Sequence, residues 1–171
     1  MKKILYTAFI AGLFLAYSCD DNPTQSEAKP ATLLEISEKP GFNWFYEEIE
    51  KYDPDQAIVA QIEANYDSES EEIFMYVNPS CTCPGNHTYF PKLVKVLQEA
   101  GISESQFKLY TMTSEKNQHP MSEMYKINDL PSFAVFRDGM PVYSINDTIA
   151  ADVLADKVRT IEEYLLTAIS N

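Results

Sequence analysis

Positive charge is scarce in this chain of 171 residues: 13 Lys and Arg stand against 26 Asp and Glu, a formal net charge of -13 at pH 7. A surface this acidic repels phosphates and argues against nucleic acid as a partner. Glycine is rare too, at 5 residues, and no glycine-rich loop of the kind that cradles a phosphate occurs. With 3 Cys and 2 His, spaced to fit no finger pattern, a structural zinc site is not expected. The sequence carries no Ser/His/Asp order, metalloprotease motif, internal repeat or low-complexity stretch. Its longest apolar run, residues 4–16, is broken by Tyr6 and Thr7 and falls short of the roughly 20 residues that a membrane-spanning helix needs.

What is there begins with that short run. Lys2 and Lys3 precede it and small residues follow it, the order of a secretory signal. Ala16-Tyr17-Ser18-Cys19 resembles a bacterial lipobox. The resemblance implies that residues 1–18 are a lipoprotein signal and that Cys19 carries a lipid holding the mature chain to a membrane of the cell envelope. Asp20 and Asp21 suit a surface-export tag in some lineages and inner-membrane retention in others, so the leaflet stays open. Residues 19–32 are polar and without hydrophobic period, as expected of a tether.

Setting Cys19 aside leaves Cys81 and Cys83. In an oxidising compartment two thiols one residue apart are not expected by accident. A bridge from i to i+2 closes almost no loop and adds little stability. The pair therefore points to chemistry.

Residues 33–70 read as helical. Phe42, Phe45, Tyr46 and Ile49 share one face, Pro54 suits a helix start, and Ala57, Ile58, Val59 and Ile62 form a second stripe. Residues 67–72 read as an acidic turn. Residues 71–171 form the expected domain. Residues 73–77 are a short β-branched and aromatic run, a buried strand. Residues 86–100 read as a helix kinked by Pro91 and closed by Gly101. A strand is expected over 106–112 and a short helix over 121–127. Residues 132–137 and 142–145 form a hairpin about Asp138-Gly139, with Pro141 marking an edge strand. A last helix opens on a capping box of Thr160 and Glu163. The order predicts an α/β fold built on a mixed sheet.

Three features in this order resemble the thioredoxin superfamily over about residues 71–169. A buried strand runs into cysteines at a helix start. Pro91 follows Cys83 by eight residues. The run Leu130-Pro131-Ser132-Phe133-Ala134-Val135-Phe136-Arg137-Asp138-Gly139 is similar to that family's cis-proline segment and the strand-turn-strand after it. The preceding helices resemble a bacterial subgroup with an added N-terminal helical segment. The resemblance implies a thioredoxin-like mixed sheet flanked by helices, a cis Leu130-Pro131 bond beside the thiols, and a Leu130 backbone available to a substrate strand. Cys83 becomes the nucleophile, and partners are protein thiols or disulfides.

The departures are equally specific. Asn86 stands where the family keeps its resolving Cys, and Cys81 lies upstream instead. Thr82 replaces the usual aromatic before the nucleophile, and Val77 occupies the place of a buried acid. Three readings stay open. Cys83 and Cys81 form a redox pair needing no cofactor; Cys81, Cys83 and His87 hold copper(I), with His119 as a distant ligand; or the chain is a non-catalytic binding module. Asn86-His87-Thr88 and Asn146-Asp147-Thr148 fit the N-glycosylation pattern, a chance-level match.

Overall fold

Residues 71–77 place apolar side chains on both faces, and both faces are covered. Ile73, Met75 and Val77 join one buried cluster while Phe74 and Tyr76 join another, as the two-residue period of a strand requires. The computed structural model describes residues 27–81, 83 and 85–171. The expected signal, Cys19, the first part of the tether, Thr82 and Pro84 lie outside the described residues.

The sheet has five strands: β1 (Lys29–Pro30), β2 (Glu71–Val77), β3 (Phe107–Thr111), β4 (Ser132–Arg137) and β5 (Met140–Ser144), in the order β1-β3-β2-β4-β5. Only β2 and β3 are parallel, with Ile73 opposite Phe107 and Val77 opposite Thr111. β4 runs antiparallel to both β2 and β5. The hairpin turns on Asp138 and Gly139, at φ 52° and 76°; two successive left-handed residues match the twist of paired strands, and glycine adopts that geometry without a side-chain clash. Pro141 lies on the edge strand, where its missing N–H costs no ladder bond.

Helices cover one face. They are α1 (Leu33–Ser37), α2 (Phe45–Lys51), α3 (Gln56–Asn65), α4 (Phe90–Glu99), α5 (Ile145–Leu154) and α6 (Ile161–Ser170). The result is an α/β mixed sheet flanked by helices. The N-terminal helices share the main core: Leu33, Ile36, Phe42, Phe45, Ile49, Val59 and Ile62 are buried in the same cluster as α4 and α6. Tyr46, expected on that face, is exposed. Phe45 stacks on Phe90 of α4 at 4.8 Å between ring centroids. Glu162 of α6, 2% exposed, accepts bonds from the Tyr52 hydroxyl at 2.5 Å and the Asp55 N–H at 3.1 Å. Burial, then this carboxylate, pushes the Tyr52 hydroxyl pKa up.

Several expectations are corrected. Within the span read as a tether, Lys29 and Pro30 pair with Thr111 and Tyr110 of β3 and Glu27 bridges to Gln118. Residues 121–124 make a turn and 125–127 are irregular, so no helix forms there. There the Ser122 hydroxyl accepts from the His119 N–H and donates to the His119 carbonyl, both at 2.7 Å, a side-chain competitor to helical bonding. Residues 112–130 instead cover the second face of the sheet, contributing Met112 and Ile127 to its core. The sequence also left α5 unassigned. Among the described residues, no helix is long and apolar enough to cross a membrane.

Candidate functional site

β2 is fully buried at Val77, so the chain that leaves it emerges from the middle of the sheet and not from an edge. A tight turn follows. The Asn78 side chain accepts from the Ser80 N–H at 3.0 Å, and the Asn78 carbonyl accepts from the Cys81 N–H at 3.0 Å. This turn delivers Cys81 to Cys83. Their sulfurs lie at disulfide distance, with Cα atoms 5.2 Å apart, and the Cys83 N–H points at the Cys81 Sγ, 3.1 Å away.

Cys83 then opens a helical segment. Its carbonyl accepts from the N–H groups of Asn86 and His87 at 3.1 and 3.3 Å. Gly85–Tyr89 form a π-helical turn, and α4 starts directly after it with Pro91 in its first turn. The expected kink is thus a change of helical register. Proline has no N–H to give to an earlier carbonyl, and an extra residue in the preceding turn accommodates the loss.

The Leu130–Pro131 bond is cis, as the resemblance implied, and it comes to the sulfurs. Cys83 Sγ lies 3.8 Å from the Leu130 carbonyl oxygen. Leu130 is less free than expected: its N–H donates to the Asp129 carboxylate at 2.8 Å. Cys83, Gly85 and Tyr89 on one side, and Leu130, Pro131, Asn146, Asp147 and Ile149 on the other, line a groove of about 360 Å³. A second hollow of about 400 Å³ lies beside β1 and α1 and is lined by neither cysteine. The groove at Cys83 is the candidate site, because it brings a cysteine to the cis Leu130–Pro131 segment.

Its walls are fixed by polar contacts. Asn128 Nδ2 donates to both carboxylate oxygens of Asp147 at 3.2 and 3.3 Å. Asn146 Oδ1 accepts from the Phe133 N–H at 2.6 Å, joining the start of α5 to β4 just past Pro131. Tyr125 bonds Ser132 at 2.9 Å and Ser144 at 3.1 Å through its hydroxyl. Asn86 is wholly buried and its Nδ2 donates to the Asn78 and Cys81 carbonyls at 2.6 and 3.0 Å.

The alternative metal ligands are not gathered. His87 stacks on Trp44 at 3.7 Å between centroids and an interplanar angle of 20°. His119 packs against Tyr76 at 4.8 Å on the other face of the sheet, where burial lowers its pKa. Among the described residues, no group of three or more His, Cys, Asp or Glu side chains is placed to hold a metal ion. Asn86, buried and occupied, is no glycosylation acceptor in this fold.

Of the residues the sequence singled out, Cys81, Cys83, Leu130 and Pro131 lie together. Sequence reasoning missed Gly85, where a Cβ would lie 2.7 Å from Cδ of Pro131, and the two hydrogen bonds that the Asn86 side chain donates. A glycine two residues after Cys83 was the available signal for the first; nothing local announces the second. No family model matches the chain, and no curated protein or solved structure matches it.

Proposed function

We propose that this chain is a lipid-anchored, thioredoxin-like protein of the cell envelope that exchanges disulfides with protein partners through Cys83 and Cys81. The observation that carries the proposal is the placement of two sulfurs at disulfide distance, at the end of a central strand, in a groove whose other wall is the cis Leu130–Pro131 segment. The strand order, with a crossover helix between parallel β2 and β3 and a closing hairpin, supports the thioredoxin-like reading.

The chemistry needs only the chain's own residues. In the reduced protein Cys83 attacks as thiolate, the nucleophilic species. Its position at the start of a helical segment favours the anion through the helix dipole. Attack on a partner disulfide forms a Cys83–partner bond and releases one partner thiolate. Cys81 then attacks Cys83 Sγ, forming the Cys81–Cys83 bond and releasing the second partner thiolate. Two electrons pass to the partner. Run backwards, the same steps oxidise a partner dithiol. A partner strand entering the groove pairs with the Leu130 backbone and displaces the Asp129 carboxylate from the Leu130 N–H.

The two cysteines have different roles, and this can be tested by trapping. In the full chain carrying Cys19→Ser and kept in detergent, Cys81→Ser is expected to accumulate partner proteins as mixed disulfides on Cys83, because the resolving thiol is gone. Cys83→Ser is expected to trap at least tenfold less. Equal trapping by the two variants would contradict the assignment of Cys83 as nucleophile.

A further inference from the structure

Asn86 stands where a Cys-x-x-Cys site would keep its second thiol, three residues after Cys83. Its surroundings show a different use for the position. The side chain is 0% exposed and its Oδ1 has no hydrogen-bond partner, a costly place for a primary amide unless both its donors are used. Both are used, and both on one short piece of chain: the Asn78 carbonyl at 2.6 Å and the Cys81 carbonyl at 3.0 Å. The Cys81 N–H already binds the Asn78 carbonyl at 3.0 Å. The amide therefore clamps the turn that carries Cys81 to the helical segment that carries Cys83. Asn86 itself is anchored at that segment's first turn by its own N–H on the Cys83 carbonyl, 3.1 Å away.

We infer that Asn86 is a positioning residue that holds Cys81 against Cys83, and so sets how readily their disulfide forms; this rests on the thiol–disulfide reading above. Opening the bond consumes two glutathione thiols, yielding the Cys81 and Cys83 thiols and one glutathione disulfide. In the disulfide form the covalent bond alone keeps the sulfurs together. In the dithiol form only the backbone does, and the Asn86 clamp is what restrains it at Cys81. Removing the clamp frees the dithiol more than the disulfide, so the local concentration of one thiol at the other falls. The pair then becomes easier to reduce, and a mixed disulfide on Cys83 resolves more slowly.

The test compares equilibrium constants with glutathione in the full Cys19→Ser chain. Asn86→Asp keeps the shape but replaces the two N–H donors with an acceptor facing two carbonyls; Asn86→Ala deletes the clamp; Asn86→Ser keeps one donor. Asp and Ala variants are expected to shift the equilibrium toward the dithiol by about tenfold, equivalent to about 30 mV for two electrons, with Ser between them and the native protein. Glu162→Gln, which loosens the fold far from the sulfurs, is expected to leave the constant unmoved. A native constant in the Asp or Ala variant overturns the inference, as does an equal shift in Glu162→Gln. A second measurement needs no variant: the Asn86 side-chain amide hydrogens are expected to exchange slowly with solvent in both redox forms, and rapid exchange overturns the clamp. If the native pair forms no disulfide at any glutathione ratio, the thiol–disulfide reading fails first, a result separate from these.

Discussion

A Cβ added to Gly85 would sit 2.7 Å from Cδ and 3.0 Å from Cγ of Pro131, closer than packed carbon atoms approach. Neither partner can yield easily, since a proline ring is stiff and Gly85 opens the π-helical turn. Gly85→Ala is expected to destabilise the fold by about 1–3 kcal/mol, the range for an extra methyl forced into a filled site. Its melting temperature falls by roughly 2–10 °C at this chain length, and attack by Cys83 slows because the groove wall shifts. A thermal scan showing no loss of stability would mean the close approach is not maintained. At this scale the sequence was legible where chemistry is carried by residue type. Cys81, Cys83 and Pro131 announce themselves, whereas the Asn86 clamp and the Trp44–His87 stack depend on which carbonyls and rings the fold brings near.

Among the elements, legibility followed the strength of local signals. β2, the Asp138-Gly139 hairpin and the capping box of α6 were readable because each is specified by contiguous residues. The helix expected over 121–127 is under two turns long, too short to offset nucleation without strong packing, and Ser122 competes for the backbone. α5 was missed for the opposite reason. It begins directly after β5, with Ser144 serving as both last strand residue and N-cap, and its inward face includes the charged Asp152. That residue is 7% exposed and accepts from Arg159 Nε at 2.7 Å and NH2 at 2.6 Å, tying α5 to the approach of α6. The Arg159 hydrogen bond holds the Asp152 carboxyl below the ordinary aspartate range. A carboxyl with a lowered folded pKa stabilises the protein fully above its unfolded value, about 4, and that stabilisation disappears as pH falls through the folded value. Arg159→Gln is therefore expected to lower the melting temperature at pH 7 and to converge with the native protein near pH 2. An equal gap at both pH values would show that the pair contributes no charge-dependent stability.

For the whole molecule, the sequence conveyed an α/β fold on a mixed sheet flanked by helices, but not β1, α5 or how the elements share a core. The N-terminal helices looked like an extension, yet Leu33, Phe45 and Val59 are buried with Leu93 and Leu165, and β1 adds to the sheet edge. Hydrophobic periodicity marks which residues are inward; it does not say against what. Strand order likewise depends on pairings across long separations, such as Lys29 with Thr111. The function proposed here joins these scales: a central strand positions the thiols, a groove admits a partner, and a buried amide holds the pair. The central claim is that Cys81 and Cys83 form a reversible redox couple. The direct measurement equilibrates the full Cys19→Ser chain, free of metal, against glutathione buffers and counts free thiols by alkylation and mass spectrometry. A single two-electron transition confined to Cys81 and Cys83, reversible from both directions, is the expected result, and its midpoint separates an oxidant from a reductant. If no intramolecular bond forms at any ratio, the exchange mechanism is wrong, and a non-catalytic binding module takes its place.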